Sequence, residues 1–117
     1  MNVGVVGNRE GWSYKEIEDR LDDPAVVGLY HSDLIITGGA DGVDTFAQEY
    51  AKKRGNPCLI LYPKPTLPSP LRYYQRNREI ACRCDILIAF DKKEHSGTSQ
   101  TIRFAKELGK QVITISK

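Results

Sequence analysis

Cysteine is scarce in this sequence. Cys58, Cys82 and Cys84 are the only three, an odd number and too few for a disulfide framework. In a reducing cytosol they would be free thiols. Cys82 and Cys84 form a C-x-C pair, but no second Cys/His pair at ligand spacing accompanies it, so no metal site is legible and no cofactor is expected. An excess of charge of one sign is missing too. Seventeen Lys and Arg stand against 15 Asp and Glu, a formal net charge of +2, which excludes a polybasic nucleic-acid sponge or an acidic tail. No run of about 18 apolar residues occurs, which excludes a transmembrane helix, and no membrane partner is expected. The opening MNVGVVGNRE has neither the basic n-region nor the apolar stretch of a signal peptide. The expected compartment is the cytoplasm.

Familiar motifs are absent as well. Gly4-Val5-Val6-Gly7 gives only G-x-x-G, so the dinucleotide fingerprint is lacking, and there is no G-x-x-x-x-G-K-[ST] for a P-loop. Neither His31 nor His95 has a matched Ser or Cys, so no catalytic triad can be read. No internal repeat or low-complexity stretch is visible.

What remains is 117 residues, 40% of them hydrophobic, enough for one sizeable core. A single domain over 1–117 is expected. Short β-branched runs alternate with amphipathic stretches, the pattern of an α/β domain with a parallel sheet. Strands are expected at Asn2–Val6, Asp33–Thr37, Cys58–Tyr62, Asp85–Phe90 and Gln111–Ile115. Ser13 and Glu16 match the S-x-x-E capping box, with Trp12 and Ile17 as a hydrophobic staple. Val43, Phe46, Ala47, Tyr50 and Ala51 follow the i, i+3, i+4, i+7, i+8 spacing of a buried helical stripe, and Gly55 and Pro57 stop it. Four of the six prolines fall between Pro63 and Pro70, a stiff extended connection. A helix should follow over Leu71–Cys84. The last helix should open at Gly97-Thr98, bury Ile102, Ala105 and Leu108, and end at Gly109.

In open parallel sheets ligands bind beyond the carboxyl ends of the strands. Three glycine-bearing loops fall there: Gly7-Asn8-Arg9, Gly38-Gly39-Ala40-Asp41-Gly42, and Ser96-Gly97-Thr98. Glycine lets a ligand approach the backbone, and a following helix N-terminus favours an anion. One such loop is adequately explained as a tight turn; three converging on one edge point to a ligand site.

Gly7-Asn8-Arg9, Thr37-Gly38-Gly39-Ala40-Asp41-Gly42-Val43-Asp44, Arg76-Asn77 and Ser96-Gly97-Thr98 together resemble the SLOG superfamily. This group includes the DNA-processing protein Smf/DprA, the LOG hydrolases, and small stand-alone bacterial and phage proteins, to which the resemblance is closest. It implies a Rossmann-like three-layer fold, a five-stranded parallel sheet of order 3-2-1-4-5, and a nucleotide or nucleic-acid ligand at the glycine edge. It also allows a homo-oligomer, dimer or higher. LOG hydrolases use a Glu for N-glycosidic cleavage; Thr101 stands at that position here, and a hydroxyl cannot do a carboxylate's acid–base work. Ser96 replaces one glycine of their pair. The extra domains and basic surface of Smf/DprA proteins are not expected in a chain of this length and charge.

Individual residues keep two readings. Asp41 and Asp44 suit a helix cap and first turn, or else hold a ribose, with Asp44 as the candidate catalytic base. Two carboxylates would repel a phosphate there, which places phosphate at Gly97-Thr98 with Arg76 and the sugar or base toward Gly38, Gly39 and Asp44. Asn77 interrupts the apolar face of Tyr73, Ile80 and Cys84 and needs a partner, from a neighbouring loop or from the ligand. Arg76 would then sit at the rim, its guanidinium fork suited to phosphate. Lys64–Arg83 carries a local charge of +4 with Tyr73 and Tyr74 interleaved. Such a helix suits a single strand, or is a solvated face with its tyrosines in the core. Trp12 is a staple or a lid over Arg9. His31 is a surface residue, and His95 is solvated or lines the pocket. The leading expectation is binding of a nucleotide or nucleotide-derived small molecule. Its rivals are a nucleoside-phosphate N-glycosidase and a single-stranded nucleic-acid binding module.

Overall fold

The computed structural model describes residues 1–92 and 97–116. Nine elements follow in strict alternation after the first strand: β1 (Asn2–Gly7), α1 (Tyr14–Leu21), β2 (Leu34–Gly38), α2 (Val43–Arg54), β3 (Cys58–Leu61), α3 (Leu71–Arg83), β4 (Ile86–Phe90), α4 (Gly97–Glu107) and β5 (Gln111–Ile115). The five strands form one parallel sheet in the order β3-β2-β1-β4-β5. This is the α/β Rossmann-like architecture expected from the resemblance.

The central strands are apolar on both sides because both faces of the sheet are covered. All five residues of β4 are buried. One core joins Val3, Val5, Ile35 and Ile88 to Ile17 and Leu21 of α1 and to Val43, Ala47, Tyr50 and Ala51 of α2. The opposite core joins Val6, Ile36, Leu87 and Ala89 to Ile80 and Ala81 of α3 and to Phe104 and Ala105 of α4. Each face thus carries two helices.

Ser13 caps α1, accepting from the Glu16 N–H at 3.2 Å, while Glu16 Oε1 accepts from the Ser13 N–H at 2.9 Å. Ser13→Ala removes one arm of this box and should cost about 1 kcal/mol; urea unfolding would measure it as a lower midpoint at unchanged slope. Trp12 packs edge-on against Phe90, ring centroids 5.3 Å apart, and its indole N–H meets Asn8 Oδ1 at 3.3 Å. It is thus held at the core rather than above Arg9. His31 is exposed, though its Nδ1 lies 2.7 Å from the Arg54 carbonyl.

Two local expectations need correction. Leu108 lies beyond the end of α4 and is 46% exposed; the buried face is Thr98, Thr101, Phe104 and Ala105. Asp41 is exposed and does not cap α2, whose N-cap is Gly42 with no side-chain hydrogen bond. The turn bends through a positive φ at Gly42, which leaves the Asp41 side chain outside the cap. Among the described residues no helix is long and apolar enough to cross a membrane.

Candidate functional site

Between the carboxyl ends of β1 and β2, the flank of α3 and the start of α4 lies a cavity of about 530 Å³, within the usual range for small-molecule sites. The first loop contributes Gly7, Asn8, Arg9 and Glu10. The second contributes Ala40 and Asp44. Helix α3 contributes Tyr73, Arg76, Asn77 and Ile80, and α4 contributes Gly97, Thr98 and Thr101. The three glycine loops therefore do meet, with α3 as the fourth wall. Among the sequence-predicted residues, Gly38 lies behind the lining, while Gly39, Asp41 and Gly42 fall outside it. Ser96 and His95 lie outside the described residues.

Asn8 lines the cavity, and both ends of its amide have partners in the protein. Its Nδ2 donates to Asp91 at 2.9 Å, and its Oδ1 accepts from the Lys92 N–H at 2.7 Å. It ties the loop after β1 to the end of β4, and so carries Arg9 to the cavity mouth, where Arg9 is exposed.

Asp44 and Arg76 form the floor. They are only 5% and 8% exposed. This corrects the expectation that Arg76 sits at the rim: its neighbour Asn77 anchors α3 to α4, donating from Nδ2 to Gln100 Oε1 at 2.9 Å and to the Gly97 carbonyl at 3.4 Å. Asn77 Oδ1 accepts from Arg76 Nε at 2.9 Å, which holds the guanidinium inward. Arg76 Nη1 lies 2.6 Å, and Asp44 Oδ2 2.7 Å, from where a Cβ on Gly38 would sit. Glycine at 38 is what lets the two groups converge. Within the protein Asn77 is an interhelical clamp, and it also lines the cavity.

The electrostatics of the floor are unusual. Burial pushes the Asp44 carboxyl up to about 6, against the opposing pull of the Ala40 N–H and of the Arg76 and Arg9 charges. Burial likewise lowers Arg76, with Asp44 opposing. The Thr37 hydroxyl also neighbours Asp44, but its single proton goes to the Val5 carbonyl at 2.7 Å. Asp44 Oδ2 accepts from the Ala40 N–H at 3.3 Å. Among the described residues Asp44 Oδ1 and Arg76 Nη1 have no hydrogen-bond partner.

Thr101, which the resemblance sets at the LOG-type Glu, is buried and donates to the Gly97 carbonyl at 3.2 Å; its hydroxyl is used by its own helix. The basic helix does not present one exposed stripe. Arg72 donates to the Leu67 carbonyl at 3.0 Å, Arg83 pairs with Glu79 at 3.7 Å, and Arg76 is inside. Its tyrosines are not core residues either: Tyr73 and Tyr74 are 37% and 42% exposed. Tyr73 stands three residues before Arg76, on the same side of the helix, and that spacing could have assigned it to the cavity. Glu10 carried no signal beyond being next to Arg9.

The family model for DNA recombination-mediator protein A matches residues 57–117, just over half of the chain, from β3 to β5. The chain belongs to this family. No curated protein matches it. Its fold is shared with DNA processing protein A (DprA) from Streptococcus pneumoniae, at a TM-score of 0.81 and 24% identity over 97% of this chain and 49% of that one. DNA processing protein A from Helicobacter pylori, described for its single-stranded DNA binding mode, superposes at a TM-score of 0.71 with 21% identity, over 97% of this chain and 64% of that one. At these identities the likeness is one of fold. The chain spans about half to two thirds of the length of these DprA proteins.

Proposed function

We propose that this DprA-family chain binds single-stranded nucleic acid and seats one nucleotide of the strand in the cavity at the carboxyl end of the sheet. The observation that carries the reading is the composition of that cavity. An exposed arginine, Arg9, and a half-open tyrosine, Tyr73, flank an opening of nucleotide size above the buried Asp44–Arg76 floor. Cations that track a backbone, with an aromatic face beside them, are the general requirements for strand binding. The DprA of Helicobacter pylori, which shares the fold, is described as a single-stranded DNA binder, and that supports the strand over the free nucleotide as ligand.

In this reading Arg9 meets a phosphate at the mouth and Tyr73 stacks on a base. Fluorescence anisotropy with a short labelled oligo(dT) tests it. Binding should weaken as salt rises, with a slope of about −0.7 per phosphate neutralised. Arg9→Ala should bind about tenfold more weakly and lose about one phosphate's worth of slope, without a change in melting temperature. A strand affinity that ignores both salt and Arg9→Ala would sink the proposal. The cavity is large enough for a free nucleoside monophosphate, so competition by one is the second reading. Release of free base from that nucleotide would instead favour the glycosidase reading, with Asp44 as its base.

A further inference from the structure

The cavity floor holds two buried side chains, each with one polar atom that no group among the described residues satisfies: Asp44 Oδ1, an acceptor, and Arg76 Nη1, a donor. Buried polar atoms are almost always partnered, so two orphans on neighbouring side chains need an explanation. The two groups flank the same Gly38 backbone, and both residues line the cavity. A phosphate satisfies only the arginine, and the carboxylate repels it. A ribose hydroxyl could do both jobs, but only through one atom. A flat group with a donor and an acceptor side by side matches both orphans at once.

We propose that the Asp44–Arg76 pair reads the edge of one nucleobase, namely the ring N–H beside a carbonyl that thymine, uracil and guanine present. Asp44 Oδ1 accepts from the ring N–H, and Arg76 Nη1 donates to the exocyclic oxygen. A carbonyl oxygen with two lone pairs is the better partner for a permanently charged guanidinium than the ring nitrogen that adenine and cytosine place beside their amino groups. Gly38 leaves the space that lets the two side chains converge. Asn77, by fixing Arg76 Nε, sets the direction of the free Nη1. The ligand would therefore enter base first, with its phosphate outward toward Arg9. This inference rests on the strand-binding reading and adds an orientation and a base preference to it.

The test uses the full chain at pH 8 with two pentanucleotides, oligo(dT) and the same oligomer with every base methylated at N3. Methylation removes the ring N–H and keeps phosphates and stacking. The wild-type protein should bind the methylated strand at least about tenfold more weakly. In Asp44→Ala, whose folding is confirmed by its melting curve, the two strands should bind equally, because both the acceptor and the crowding around the methyl group are gone. Equal binding of both strands by the wild type would overturn the inference and leave strand binding intact, as a water bridging the pair would require. A methylation penalty that persists in Asp44→Ala would overturn it too. Failure of the wild type to bind unmodified oligo(dT) would instead refute the strand-binding reading itself.

Discussion

Asp44→Asn should raise the thermal midpoint at pH 8 and bring it close to the wild type at pH 4. The carboxyl titrates near 6 in the folded protein rather than at its ordinary 3.8, so the folded state binds this proton more tightly than the unfolded one. Protonation therefore favours folding. That advantage is fully present below about pH 4 and is lost as pH rises through 6. At about 1.4 kcal/mol per pH unit, the ionised carboxylate costs the folded state about 3 kcal/mol at pH 8. The raised value already includes the attraction of Arg76 and Arg9; burial still outweighs it. Asparagine is nearly isosteric with the protonated acid and cannot ionise. The gain of about 3 kcal/mol should appear as a rise of about 10 °C, read by calorimetry at the two pH values. A midpoint unchanged or lowered at pH 8 would mean that the Arg76 charge fully compensates Asp44. Stability lost at one buried carboxylate and kept in the natural sequence is the usual mark of a site retained for binding.

Gly42→Ala should unfold the protein at a temperature about 15 °C lower. Gly42 has φ 80° and ψ −125°, a region that a residue with a Cβ occupies only under strain of about 1–3 kcal/mol. There is also no room. A Cβ at 42 would stand 2.4 Å from the Arg9 carbonyl oxygen and 2.6 Å from that of Asn8, and these are backbone atoms with little freedom to move. Overpacking adds about 1–3 kcal/mol, for a total of about 4 kcal/mol. The contact is the seam between the first two loops, where the Val43 N–H also donates to the Asn8 carbonyl at 3.2 Å. Forcing it open moves Arg9, so strand affinity should fall with stability. Gly55→Ala is the control. Gly55 also has a positive φ, 83°, but nothing lies within 4 Å of the added carbon. It should lose only about 1 kcal/mol. Equal losses at both positions would show that backbone conformation, and not the seam, sets the cost at Gly42.

The fold was legible where one physical rule acted alone. The stripe Val43, Phe46, Ala47, Tyr50, Ala51 became α2, and the Ser13–Glu16 box became the start of α1. The boundaries moved by a residue where a side chain took a different partner. The second strand begins at Leu34 rather than Asp33 because the Asp33 carboxylate accepts from the Tyr30 N–H at 2.8 Å. The site was legible as a set of loops, since strand ends, glycines and helix starts all carry local signals. The role of each residue in it was less so. Gly42, which reads as a ligand glycine, sits at the seam between two loops. Asn8, which reads as a ligand amide, lines the cavity and also ties the end of β1 to the end of β4.

By itself the sequence determined the parallel α/β architecture and the edge of the sheet where the cavity lies, because hydrophobic periodicity and turn chemistry are local properties. Only the tertiary structure decided that Arg76 turns inward. Its depth depends on the Asn77–Gln100 clamp between two helices and on the empty Cβ position at Gly38, residues 23 and 38 positions from their partners. The raised Asp44 carboxyl and its free oxygen have the same origin: desolvation is set by everything packed around a group, which no spacing along the chain records.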